Sequence, residues 1–159
     1  MERWWEQTRH QFTQNPCFCL KISVFNRQSN LKVKVSSVRD LVLFVLSTKK
    51  VTCKELSVYL VGKRKIASIH EEFFNDPTPT DCITFPCDNQ FLGEVFICPK
   101  TAQEYNPKKP YIETSLYIIH TILHLLGYED ETDSKRKVMH KEQTRLLKLA
   151  IKHRCILEP

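Results

Sequence analysis

His120 and His124 stand four residues apart in the run HTILHLLGYED, His120 to Asp130. An α-helix rises ~1.5 Å per residue, so the two imidazoles lie one turn apart, about 6 Å along the axis, on one stripe. That geometry suits two nitrogens on one divalent metal ion, zinc first among them. Gly127 follows, a residue that takes the left-handed conformation at a helix end and turns the chain back. Glu129, Asp130 and Glu131 come next, and a carboxylate there can swing round to face the imidazoles. Three protein ligands with a fourth position left to water is the layout of a catalytic zinc site. Such an ion lowers the pKa of its water and polarises a phosphoryl or carbonyl oxygen. The bland alternative is a pair of hydrogen-bonded histidines at a core edge. The glycine stop and the acids behind it bring the metal reading level with that alternative.

The elements that must position these residues follow from pattern. Pro110 to Gly127 is apolar nearly all round and reads as a buried helix, with proline at its start and glycine at its end. Strands are expected at Cys17 to Phe25 and Glu55 to Val61, and again in DCITFP and GEVFICP, the last two as a hairpin or as neighbours. Helices are expected over Ser36 to Lys50, with a serine cap, and over Lys63 to Phe74, with Ile66, Ile69 and Phe73 on one face. PKTAQEYN reads as a short helix. A last helix is capped by Asp133 and carries Val138, Met139, Leu146, Leu147 and Ala150 as its apolar stripe. The order predicts an α+β fold: a small mixed β-sheet covered by helices, with the His-x3-His helix buried in zincin-like fashion. One domain over residues 1–159 is expected, residues 1–16 forming an extension.

Composition narrows the function classes. Apolar residues make up 42% and charged residues 26%, as in ordinary globular chains, which argues against disorder. No apolar run reaches the ~20 residues that span a bilayer, and the opening MERWWEQTRHQF has no apolar signal core; a cytoplasmic protein without membrane contact is expected. The seven cysteines are irregularly spaced with no C-x-x-C pair, so they read as reduced, mostly buried thiols. The net charge of +6 is compatible with a polyanionic partner, although charge alone is weak evidence for one.

The segment His120 to Asp130 resembles the YbeY signature H-G-x-L-H-L-x-G-Y-D-H, with His120, Leu123, His124, Leu125, Gly127 and Tyr128 aligned without gaps. PTDCITFPCD (Pro79 to Asp88) and LGEVFICPKTA (Leu92 to Ala102) look like two further segments of that family, in the same order. The resemblance runs over roughly Leu20 to Leu147. It implies a single-strand-specific, metal-dependent endoribonuclease acting in ribosomal RNA processing and ribosome quality control. The partners would be ribosomal RNA and the small ribosomal subunit, with no DNA. It also implies His120, His124 and Asp130 as the ligands of one divalent ion, with Asp130 standing where the family has a third histidine. Glu129 and Glu131 flank that position and compete for it. Two further departures bear on activity. Thr121 replaces a glycine, and Phe74 stands where the family usually has an arginine, so no catalytic residue is assigned. Lys63, Arg64 and Lys65 are the cations in reach by sequence. Thr80 and Asp81 are candidates to line the cleft, although a turn that caps the sheet is the simpler role for Asp81. Two other functions compete. One is a non-catalytic ribosome-assembly protein with a structural metal, for which His140 offers a fourth ligand. The other is a zinc metalloprotease, which would need a glutamate where Thr121 stands.

Overall fold

The computed structural model describes residues 20–159 apart from residues 53 and 89. Cys17 and Cys19, with the expected extension at residues 1–16, lie outside them. The elements run β1 (Lys21–Arg27), α1 (Val35–Thr48), β2 (Glu55–Val61), α2 (Lys63–Phe74), β3 (Cys82–Pro86), β4 (Phe91–Ile97), α3 (Pro99–Tyr105), α4 (Pro110–Leu125) and α5 (Asp133–Lys152). The strands form one mixed sheet in the order β1-β2-β4-β3. β1, β2 and β4 are parallel, and β3 lies antiparallel to β4 at the edge. The expected α+β architecture, a small mixed sheet covered by helices, is therefore present.

Strand alternation explains the layers. Leu56, Val58 and Leu60 of β2, with Val95 and Ile97 of β4, face the helices α1, α4 and α5 and share one core with them. Val61, Ile83 and Cys98 face the other way and pack on Ile66 and Ile69 of α2. Helix α4 packs against β3, β4, α1, α3 and α5. Its Ile118, Ile119, Ile122 and Leu123 are fully buried, each contributing about 2–3 kcal/mol of apolar burial. The buried hydroxyl residues of α4 bond back to its own turns: Thr114 Oγ1 donates to the Pro110 carbonyl at 2.8 Å, Ser115 Oγ to Tyr111 at 2.7 Å and Thr121 Oγ1 to Ile118 at 2.8 Å. Gly93 lets the helix come this close to the sheet. A Cβ there would sit 2.3 Å from the Phe85 carbonyl oxygen and 2.8 Å from Leu125 Cδ2.

Several local expectations are corrected. Phe73 is 59% exposed, because the last turn of α2 lies at the edge strand, where its ring meets the Phe85 ring at 4.8 Å. Val138 is 60% exposed; Met139, Leu146 and Ala150 set the buried face of α5, and Val138 lies about 100° off it. The cap of α5 is Thr132, whose side chain accepts from the Lys135 amide, and Asp133 is the first helical residue. Helix α1 starts one residue ahead of the expected serine cap, and Ser37 Oγ donates to the Lys34 carbonyl at 2.7 Å.

Candidate metal centre

Helix α4 delivers both histidines to one point. His120 Nε2 and His124 Nε2 are 3.1 Å apart, and the rings meet edge to face at 89°. The helix then ends in a Schellman motif: the Tyr128 amide donates to Leu123 O at 3.0 Å and the Gly127 amide to His124 O at 3.0 Å. Gly127 makes this turn at φ +87, a conformation glycine adopts at little cost. The reversed chain brings Asp130 Oδ2 to 3.7 Å from His124 Nε2 and 3.9 Å from His120 Nε2. The three donor atoms lie within 4.8 Å of one another. Donors at ~2.0–2.1 Å from a tetrahedral zinc ion stand about 3.3 Å apart, so only small side-chain adjustments close the set. Two nitrogens and a carboxylate oxygen are also the donor types zinc accepts.

The outward ring nitrogens are held. His120 Nδ1 faces Gln143 Oε1 at 3.0 Å, and His124 Nδ1 faces the Tyr128 carbonyl at 3.0 Å. Both partners are acceptors, so each ring carries its proton on Nδ1 and leaves the Nε2 lone pair to the shared point. Tyr128 is fixed in turn by Lys49, whose Nζ donates to its hydroxyl at 2.7 Å and to Glu142 Oε1 at 2.9 Å. Arg145 grips the same carboxylate with two bonds, at 2.8 and 2.7 Å. The Arg145 guanidinium, against the opposing effect of burial and with help from Lys49, holds the Glu142 carboxyl down at about 2. Gln143, Lys49 and Glu142 had no signal in the sequence. They come from elements far along the chain, and only the fold brings them to the motif.

The competing residues are accounted for. Glu129 is exposed and pairs with Lys135, and Glu131 is exposed and outside the donor group. His140 is exposed on α5 and also outside that group. Thr121 is buried with its hydroxyl committed to Ile118, so it offers no proton acceptor to the site. Phe74 is 54% exposed against the His70 ring at 5.4 Å. Lys63, Arg64 and Lys65 start the helix that Phe74 ends, about 15 Å away at ~1.5 Å per residue, so they do not stand in for an arginine there. Lys63 is also paired with Glu104 at 2.6 Å.

A cleft of about 500 Å³ opens beside His120, and both Thr80 and Asp81 line it. Asp81 also has the structural role: its Oδ1 accepts from Thr80 Oγ1 at 3.0 Å and from the Cys82 amide at 2.8 Å, capping β3. Burial, and then the Asp81 and Asp130 charges, push the Cys82 thiol well above its ordinary range, so it stays protonated.

The family model described as endoribonuclease YbeY matches residues 23–150. The chain belongs to this family. A YbeY relative from Protochlamydia amoebophila is 38% identical over 133 residues, covering 78% of this chain and 89% of the relative. One from Chlamydia trachomatis serovar D is 33% identical over 150 residues, covering 87% and 93%. A solution structure of a Thermotoga maritima protein matches with a TM-score of 0.56 at 26% identity, over 79% of this chain and 86% of that one. The YbeY relatives are named endoribonucleases, and membership of their family makes this chain a nuclease. Among the described residues no helix is long and apolar enough to cross a membrane.

Proposed function

We propose that this YbeY-family chain is a metal-dependent endoribonuclease that cuts single-stranded regions of ribosomal RNA, working in the cytoplasm on the small ribosomal subunit in rRNA processing and ribosome quality control. His120, His124 and Asp130 hold one divalent ion, with zinc the first choice. The observation that carries the reading is the convergence of two Nε2 atoms and Asp130 Oδ2, with both Nδ1 atoms already engaged. When bound, the ion supplies a Lewis acid for a phosphate oxygen and for water.

The chain's own residues do the rest. Gln143 and the Tyr128 carbonyl orient the imidazoles. Asp130 brings a negative charge, which makes the ion a weaker Lewis acid than three imidazoles would and tilts preference towards harder cations. Three donors among the described residues, rather than four, favour a site with an open position over a closed structural one. The buried Thr121 counts against the peptidase alternative, which needs an ionisable base at that position.

Cleavage of a single-stranded RNA by zinc-loaded wild type and His124→Ala tests the reading. A loss of at least about a hundredfold is expected in the variant. Equal cleavage by the two proteins removes the metal site from the mechanism.

A further inference from the structure

The cleft beside His120 contains groups that metal binding leaves unused. Tyr105, at the end of α3, holds its ring 77% exposed at the rim. Deeper in, Glu113 is 92% buried, and among the described residues its side chain takes one long 3.5 Å contact, from Asn106 Nδ2 to its Oε2, which leaves lone pairs to spare. Asp81 adds a second carboxylate. Burial first, and then the Glu113 and Asp81 charges, push the Tyr117 hydroxyl far above its ordinary range, so it stays a donor. The lining therefore offers an aromatic face, two carboxylate acceptors and one phenolic donor. Two carboxylates repel a phosphate, so the sugar-phosphate chain is steered away from this cleft and towards the metal. The volume of about 500 Å³ falls within the range of small-molecule sites. A flat ring with amino hydrogens matches all of these groups. It stacks on Tyr105 as bases stack on exposed aromatics, and its N–H groups reach carboxylates, as the cytosine amine reaches Asp or Glu.

We propose that this cleft is a nucleobase subsite: it takes the base beside the scissile phosphate, stacked on Tyr105, and favours guanine, adenine or cytosine over uracil through Glu113 and Asp81. The subsite rests on the reading of the neighbouring centre as the place where RNA is cut. Uracil has no exocyclic amino group and offers the two carboxylates only its N3–H, whereas guanine, adenine and cytosine each bring an amino group.

The test is binding of zinc-loaded protein to fluorescein-labelled single-stranded octaribonucleotides, all-uridine or with one central guanosine, adenosine or cytidine. Anisotropy is read before cleavage proceeds, and cleavage is then followed on the same RNAs. Wild type is expected to bind the substituted RNAs several-fold more tightly than all-uridine RNA. Tyr105→Ala should weaken binding about tenfold and Tyr105→Phe should restore it. Glu113→Gln should narrow the difference between bases. Equal affinity for all four RNAs in wild type, or wild-type affinity in Tyr105→Ala, overturns the subsite. Tyr105 is exposed, so its variants keep the test valid even if Glu113→Gln fails to fold. RNA cutting without base selectivity rejects the subsite alone. Base-selective binding without any cutting rejects the nuclease reading, and with it the place beside a scissile phosphate, and leaves only base binding in the cleft.

Discussion

At the scale of single residues, the two histidines and the acid were legible because a helix fixes four-residue spacing and a glycine marks where the helix stops. Among the acids, Asp130 faces the imidazoles, whereas Glu129 turns to Lys135. What the sequence could not reveal is what holds the rings. Gln143 lies 23 residues from His120, and the Tyr128 contribution is a backbone carbonyl, which no side-chain pattern encodes. An outer partner of this kind fixes ring orientation and tautomer. Gln143→Leu is therefore expected to lower zinc affinity about 10–100-fold, measured by chelator competition, with a thermal midpoint close to wild type. Unchanged affinity would mean that the His120 ring is held by packing alone.

Among the elements, α4 and the turn after it behave as one device. The helix end was predicted from Gly127, and the Schellman bonds show why a glycine is needed there. Nothing lies within 4 Å of a Cβ added at Gly127, so the cost of Gly127→Ala is conformational, about 1–2 kcal/mol, and should appear as a lower denaturant midpoint. Because the same turn carries Asp130, zinc affinity should fall in parallel. The clamp of Lys49 and Glu142 ties α1 and α5 to this turn through Tyr128. Lys49 and Tyr128 are 79 residues apart in sequence, which is why the clamp escaped a reading based on local periodicity. The Glu142 carboxyl is depressed to about 2, so its contribution to stability is fully present above its unfolded value near 4.5 and fades as pH falls towards about 2. At most about 3 kcal/mol is involved. Glu142→Gln should flatten unfolding free energy against pH over that acid window; an unchanged slope would assign the acid sensitivity to other carboxylates.

For the whole molecule, alternation and helical spacing predicted a mixed sheet under helices, since strands and amphipathic helices write their buried faces into the sequence. The errors fell at element ends and on the flank of a helix face. Phe73 and Val138 are apolar yet exposed, because the sheet edge and the helix phase decide burial, and neither is visible locally. The C-terminal tail is tied down in a way no motif announced: the Leu157 amide donates to Ser115 Oγ at 3.0 Å and the Glu158 amide to Ser37 Oγ at 3.1 Å. The net charge of +6 acts at this scale too. If lysines and arginines hold flanking phosphates, affinity for single-stranded RNA should fall about twentyfold between roughly 50 and 200 mM salt, the response to about three phosphate contacts. A salt-independent affinity would argue against phosphate contacts. On the proposed reading, an ion held by His120, His124 and Asp130 is what lets the protein cut RNA. The most direct measurement strips the wild-type protein with a chelator and follows cleavage of single-stranded RNA as zinc is added back. No cutting by the stripped protein and full recovery at one zinc per chain are expected. Undiminished cutting by the metal-free protein would contradict that reading.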